Sequence, residues 1–275
     1  MQSAAATYWS THTGYAMNWF QFCAPYINER VTGDANLPPT LWALSRAGKA
    51  KHLLEIGCLD GRKIAAKLER GLIERGSGVD IAADAITRGR AAYPQIDLSV
   101  CDLNAPNLPA ETYDVIVANG VLHHIESIDA CVEALYGALM PGGWLFASEF
   151  TGPRRYEYTD EEVAAIHAGQ AMLPEALQGE PFAPEMLAPK LRADPSESVS
   201  TDIIEPTLRR VFDEVTAIPF GGNVLQRALT KDFFDGFDGE NAAHIAALER
   251  LIAFDKKMSA RSTSSHHCYF IARKL

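Results

Sequence analysis

The run Leu53-Leu54-Glu55-Ile56-Gly57-Cys58-Leu59-Asp60-Gly61-Arg62 is the part of the chain best built to hold a cofactor. An apolar stretch ends in a turn carrying Gly57 and Gly61, and a helical pattern follows. Glycines in such a turn let the backbone come close to a ligand. About two dozen residues on, Asp80 ends a second apolar stretch, where a carboxylate can accept hydrogen bonds from two ribose hydroxyls. Each signal alone is weak. In this order, at strand ends, they indicate a nucleoside-containing cofactor. Two neighbouring histidines, His123 and His124, follow another apolar stretch, and Glu149 follows the next. An imidazole titrates near neutral pH, which suits a general base, although a histidine there can equally pack beneath a cofactor or cap a helix. Glu149 reads as a base or as a substrate anchor.

The elements that must position these groups are legible as alternation. From about residue 51 to 150, short apolar runs alternate with helical patterns, as βαβ units of a parallel sheet do. Strands are expected at 52–56, 78–81, 96–100, 114–118 and 144–148, with two more near 211–218 and 268–272. The run at 114–118 is the most apolar, as a central strand buried on both faces should be. Ile128, Val132, Leu135 and Leu139 fall at helical spacing, and that helix is expected to stop at Met140-Pro141-Gly142-Gly143. Thr159 and Glu162 have capping-box spacing. Asp194-Pro195-Ser196-Glu197 reads as a helix start, with an N-cap Asp, Pro at the first helical position and Glu at N3, in preference to a catalytic cluster. Ile245, Leu248, Leu251 and Ile252 mark a further helix face.

Taken together, the motifs resemble those of class I S-adenosylmethionine-dependent methyltransferases over roughly residues 50–150. The first run resembles their acid-x-Gly-x-Gly-x-Gly motif, with Leu59 standing where the middle glycine is usual. Gly78-Val79-Asp80 resembles the ribose-binding motif, and Cys101-Asp102-Leu103 the adenine-contacting one. Tyr113-Asp114-Val115-Ile116 with Asn119-Gly120-Val121-Leu122-His123-His124-Ile125 resembles the fourth-strand motif, and Leu139-Met140-Pro141-Gly142-Gly143-Trp144-Leu145 the L-x-P-G-G-x-L turn. The resemblance implies an α/β, Rossmann-like, doubly wound, mostly parallel seven-stranded sheet with an antiparallel last strand and helical cap additions. It implies S-adenosyl-L-methionine as cofactor, held by Glu55, Gly57, Cys58, Gly61, Asp80, Ile81, Asp102, Leu103, Asn119 and Gly120. His124, His123 and Glu149 are then the catalytic candidates, and Tyr8, Trp9, Tyr15 and Tyr156 the substrate-contacting ones.

The expected organisation is an N-terminal helical cap over 1–50, a cofactor-binding core over 51–150, a helical lid over 151–210, and the last two strands with a helical insertion over 211–275. The expected reaction moves a methyl group to an O or N atom of a small molecule. A looser resemblance to bacterial polysaccharide and natural-product pathway methyltransferases, carried by the Tyr-Trp near the start, Glu149 followed by Gly152-Pro153, and Asp194-Pro195-Ser196-Glu197, favours a saccharide or other secondary metabolite. Leu59 keeps a non-catalytic binding protein on this fold as the alternative. A nicotinamide-dependent oxidoreductase would need G-x-G-x-x-G after the first strand, which is missing.

Composition narrows the partners. The formal net charge of the 275 residues is -10, with no dense Lys/Arg stripe to neutralise phosphate backbones, so no nucleic-acid partner is expected. The five cysteines, Cys23, Cys58, Cys101, Cys131 and Cys268, contain no C-x-x-C pair, and no ligand cluster argues for a metal. No run approaches the roughly 20 apolar residues of a membrane helix, and the start carries no secretory signal pattern. A reducing cytoplasm fits this reading, and the oligomeric state stays open, a homodimer included.

Overall fold

The computed structural model describes residues 18–48, 50–260 and 265–275. Tyr8, Trp9 and Tyr15, expected at the substrate, lie outside the described residues. The chain enters through three helices, α1 (Trp19–Phe22), α2 (Ala24–Thr32) and α3 (Pro39–Ala47). Then β1 (Ala50–Ile56), α4 (Arg62–Glu69), β2 (Ile73–Asp80), α5 (Ala83–Ala92), β3 (Asp97–Val100), β4 (Tyr113–Asn119), α6 (Ile128–Ala138) and β5 (Leu139–Phe150) alternate. After β5 come α7 (Asp160–Gln170), α8 (Ala188–Ala193), α9 (Ile204–Val211), β6 (Glu214–Gly221), α10 (Leu225–Ala228), α11 (Lys231–Gly236), α12 (Ala242–Met258) and β7 (His267–Arg273).

All seven strands form one sheet in the order β3-β2-β1-β4-β5-β7-β6, with β7 running antiparallel to both its neighbours. The chain reverses its direction of winding between β1 and β4, which pair in parallel. Crevices at such a switch point, beyond the carboxyl ends of the strands, are where open α/β sheets hold ligands. Side chains of the central strands alternate between two apolar layers. Leu53, Val115, Val117 and Phe146 pack with α2, α4, α5 and α12, whereas Leu54, Ile56, Ile116, Ala118 and Leu145 pack with α6 and α9. The near-continuous burial of β1 and β4 follows from that double cover.

Three local expectations come out differently. The helix after β4 ends at Ala138, and Leu139 is already extended with ψ 140°. Met140, which precedes Pro141, is biased away from the α region, so the helix cannot run on to the proline and ends just before it. Asp194-Pro195-Ser196-Glu197 starts no helix; residues 195–200 are turn and bend, and Ser198 sits at φ 58°. A left-handed residue there stops helical continuation. Finally, α9 belongs to the core layer rather than to a lid, because Ile204 and Leu208, one turn apart, are fully buried beside α6. The Thr159 capping box is present, with Thr159 accepting from the Glu162 amide and Glu162 reaching back to the Thr159 amide at 2.8 Å.

The aromatic entry packs where β6 and β7 meet, near the carboxyl end of β5. Trp19 and Phe20 lie against Phe220 and His267, and Phe22 contacts Phe233, Phe234 and Phe237. Among the described residues, no helix is long and apolar enough to cross a membrane.

Candidate active site

The carboxyl ends of β1, β2 and β4 surround a cavity of about 310 Å³. After β1 the chain turns through three left-handed residues, Gly57 (φ 64°), Leu59 (φ 50°) and Gly61 (φ 74°), before α4 begins. Two of these must be glycine on steric grounds as well. A Cβ on Gly57 would come within 2.9 Å of Val121, and one on Gly61 within 2.7 Å of Ile96. The loop is pinned from β2. Asp80 Oδ2 accepts the Leu59 amide at 2.7 Å, and Oδ1 accepts the Ala82 amide at 2.9 Å. Burial pushes the Asp80 carboxyl above its ordinary pKa, against the pull of its backbone donors. Further donors at its remaining lone pairs, as a ribose diol would offer, favour its charged form.

Of the residues expected at the cofactor, Gly57, Asp80, Ile81, Asp102, Leu103, Asn119 and Gly120 line this cavity. Glu55, Cys58 and Gly61 do not. Glu55 is buried and forms an ion pair with Lys67 of α4 at 2.7 Å, so it anchors the helix instead of facing the ligand. The Cys58 side chain is directed back to the sheet, where its sulfur lies 2.6 Å from the Cβ position of Gly78. Gly61 serves the turn and its packing. Asn104 is a lining residue the sequence reading missed; its Oδ1 takes the Ser127 amide at 3.0 Å and its own amide donates to Asp102 at 2.9 Å. Residues present thus fit a nucleoside ligand. Two glycines open the backbone, and acids stand at the ends of β2 and β3.

In the left-handed region Leu59 costs roughly 1–2 kcal/mol relative to glycine, but its amide still donates to Asp80. Leu59→Gly is therefore expected to leave cofactor affinity intact and to change stability by no more than about 1 kcal/mol, because relieved strain offsets the lost side chain. Leu59→Val, branched at Cβ, should destabilise by about 1–2 kcal/mol. Urea titrations of the three proteins check this. A Leu59→Gly protein much less stable than the parent would show that the side chain, not the turn, matters.

His124 lines the cavity, whereas His123 and Glu149 lie behind it. Both Glu149 oxygens are taken. They accept from the Val121 amide (3.0 Å), the Leu122 amide (3.1 Å) and the His123 ring nitrogen Nδ1 (2.8 Å). Glu149 therefore clamps the loop after β4 and orients His123, and it has no oxygen to offer as a base. The His124 Nδ1 faces Ser196 Oγ at 3.1 Å, and that hydroxyl donates to Asp194 Oδ1 at 2.5 Å. Burial, with the neighbouring His123, lowers the His124 pKa to about 3.

The residue that sequence reasoning set aside is Glu197. The turn at 194–197 folds over the histidines. Glu197 lies 3.7 Å from His123 Nε2 and 3.9 Å from His124 Nε2. It also pairs with Lys190 at 2.9 Å and accepts from Tyr156 Oη at 2.7 Å and Ser198 Oγ at 3.0 Å. Burial works against its charge, but Lys190 and the two imidazoles hold its pKa well below the carboxylate range. Tyr156, expected at the substrate, is buried in this network and does not line the cofactor cavity. One ligand atom each from His123, His124 and Glu197 fall within 4.8 Å of one another, a metal-like grouping that no spacing in the sequence shows. Both Glu197 oxygens have partners, Lys190 in an ion pair and Tyr156 and Ser198 by hydrogen bonds.

A methyltransferase domain family matches residues 54–145, from β1 to β5. The chain carries a class I S-adenosylmethionine-dependent methyltransferase domain. An uncharacterized methyltransferase of Mycobacterium tuberculosis is 33% identical over 103 residues, 37% of this chain and 51% of the relative. A trans-aconitate 2-methyltransferase of Azoarcus sp. is 27% identical over 178 residues, 62% of this chain and 65% of the relative. The chain thus spans about half the length of the first of these curated relatives. Among solved structures, geranyl diphosphate C-methyltransferase from Streptomyces coelicolor superposes with a TM-score of 0.59 at 12% identity, covering 100% of this chain and 97% of that one. At that identity the likeness is one of fold. The matched segment carries the glycine turn, Asp80, Asp102 and both histidines, while Tyr156, Lys190 and Glu197 lie outside the methyltransferase domain match.

Proposed function

We propose that this protein transfers the methyl group of S-adenosylmethionine to an O or N atom of a small molecule, a saccharide or other secondary metabolite. One observation carries the reading: the cavity at the switch point joins cofactor-type residues (Asp80, Asp102, Asn119) to a buried imidazole, His124. The acidic chain, at net charge -10, supports a small acceptor over a nucleic acid. So does the relative named for trans-aconitate.

The bound cofactor supplies an electrophilic methyl group; the protein supplies alignment and proton handling. In this reading Gly57 and Gly120 give the ligand room, and Asp80 and Asp102 hold its nucleoside part. His124 Nε2 takes the proton of an acceptor hydroxyl, and Glu197 stabilises the imidazolium that results. Ser196 and Asp194 fix the ring from its other nitrogen. An amine acceptor needs only the alignment.

Calorimetric titration with S-adenosylhomocysteine, with NADH in parallel, tests the reading. Saturable binding of the first alone is expected, and Asp80→Ala should weaken it at least ~10-fold, because charge-assisted hydrogen bonds are worth about 1.5–3 kcal/mol. Binding of neither ligand by the folded protein would favour a non-catalytic role.

A further inference from the structure

The most unusual charge in the molecule is a cation. Arg227, on α10, inserts its guanidinium among aromatic rings: its Cζ lies 4.9 Å from the Tyr156 ring centre, 5.7 Å from that of Tyr158 and 5.8 Å from that of Phe182. Its Nε donates to Tyr158 Oη at 2.9 Å, and its Nη2 is buried with no hydrogen-bond partner. Among the described residues no carboxylate lies within ion-pair distance of it. The chain cannot supply one from elsewhere, since residues 1–17, 49 and 261–264 contain neither Asp nor Glu. The neighbouring acids are committed: Glu197 to Lys190 at 2.9 Å, and Glu162 to His266 at 3.0 Å and to the Thr159 cap. Nor are the phenols a substitute, because burial raises the pKa of Tyr156 and of Tyr158.

A guanidinium with one nitrogen buried and unpartnered and no counter-ion beside it is costly, and arginine stays charged at any working pH. Such a group persists where an anion meets it. The surroundings are shaped for one. Arg227 keeps partial solvent access, and half-exposed Lys190 stands 5.4 Å from the same Tyr156 ring. Arg155 (φ 53°), Tyr156 (φ 59°) and Ser198 (φ 58°) are all held in the left-handed region at this spot, the kind of local strain that the surroundings must over-determine. Arg155 fastens them, with its amide on the Ser198 carbonyl and its Nη1 on the carbonyls of Pro195 and Glu197. Side chains link this cluster to the reaction centre: Tyr156 Oη donates to Glu197, which lies 3.9 Å from His124, a residue of the cofactor cavity.

We propose that Arg227, with Tyr156 and Tyr158, binds an oxyanion carried by the methyl acceptor, a carboxylate or a phosphate monoester, and so selects anionic acceptors. This rests on the methyltransferase reading above. The planar fork of arginine matches either oxyanion bidentately, and the rings on its faces fix its plane.

The test uses the whole chain saturated with S-adenosylhomocysteine, titrated at fixed ionic strength with inorganic phosphate and, separately, with benzoate, with melting temperature as readout. One of the two should raise the melting temperature saturably, by about 2–4 °C at ten times its Kd, and the one that does so separates phosphate from carboxylate. Arg227→Met should lose that response without losing melting temperature in the absence of anion. Arg227→Lys, which keeps the charge and loses the fork, should retain a weaker response and covers the case in which the methionine variant fails to fold. No saturable response to either anion in protein that binds S-adenosylhomocysteine, or equal responses in parent and Arg227→Met, would overturn the proposal. Failure to bind S-adenosylhomocysteine would overturn the methyltransferase reading, and the same titrations on the ligand-free protein would still decide the anion site.

Discussion

Replacing His124 with glutamine is expected to slow methyl transfer to a hydroxyl acceptor by ~10²–10⁴-fold, the range that a positioned base contributes, while S-adenosylhomocysteine still binds. The imidazole is the only one of the three catalytic candidates that lines the cavity. Its Nδ1 meets Ser196 Oγ at 3.1 Å, and Glu197 lies 3.9 Å from its Nε2, placed to stabilise an imidazolium. Two further readouts separate a base from a packing residue. Since burial and His123 hold the His124 pKa at about 3, the ring is unprotonated throughout the neutral range. The rate should stay level as pH falls from 8 to about 5, where an imidazole of ordinary pKa, about 6.5, would already be mostly protonated. Glu197→Gln should also lower kcat, because it removes the carboxylate that meets the new imidazolium, but should leave an amine acceptor less affected. A His124→Gln enzyme with unchanged kcat on a hydroxyl acceptor would remove His124 from the chemistry.

The contrast between Asp80 and Glu197 shows what a sequence carries and what it withholds. Asp80 is legible because its place depends on local order: an apolar run, a glycine turn, a helix, and a second apolar run that ends in an acid. Parallel pairing of β1 with β2 then brings it to the same end of the sheet as Gly57. The sheet order and the antiparallel β7 follow the same logic, since each strand declares itself by composition and the family resemblance supplies the order. Glu197 obeys no such local rule. Its segment, Asp194-Pro195-Ser196-Glu197, satisfies every preference of a helix start, yet it closes over His123 and His124 from more than seventy positions away. Long-range ion pairing overrides the local preference, and the left-handed Ser198 marks the point where it does. One signal did exist. Arg227 interrupts the apolar run Val224-Leu225-Gln226-Arg227-Ala228-Leu229, and a charge inside such a run must either surface or find a buried role. Glu149 went astray for the opposite reason. An acid at the end of β5 is placed for chemistry, but three backbone amides and His123 reach its oxygens first. Free backbone amides in a turn cannot be counted before the turn is known.

The protein should be less stable at pH 5 than at pH 7.5, by about 2 kcal/mol through His124 alone, with His267 acting in the same direction. Burial, with His123, brings His124 down to about 3. Burial, with His266, carries His267 well below its ordinary value too. In the unfolded chain both protonate near pH 6.5. Below that pH the unfolded state binds more protons than the folded one, so the stability present above 6.5 is lost as pH falls toward the folded pKa. For His124 each unit below 6.5 removes about 1.4 kcal/mol, or about 2 kcal/mol by pH 5; His267 adds to the loss in the same direction. Carboxylates act in a lower window. Lys190 and the imidazoles hold the Glu197 pKa far down despite its burial, so its contribution disappears only below about pH 4.5. His267 can be exchanged with little disturbance of shape. Its ring lies 5.6 Å from Phe220 and 5.0 Å from Trp19, and its Nε2 meets Gln226 Oε1 at 3.2 Å. His267→Phe should keep those ring contacts and lessen the fall in stability between pH 7.5 and pH 5. Urea titrations at the two pH values measure both slopes. Equal stability at the two pH values in the parent protein would mean that these imidazoles reach solvent, and with it would go the view of His124 as a base kept neutral by burial.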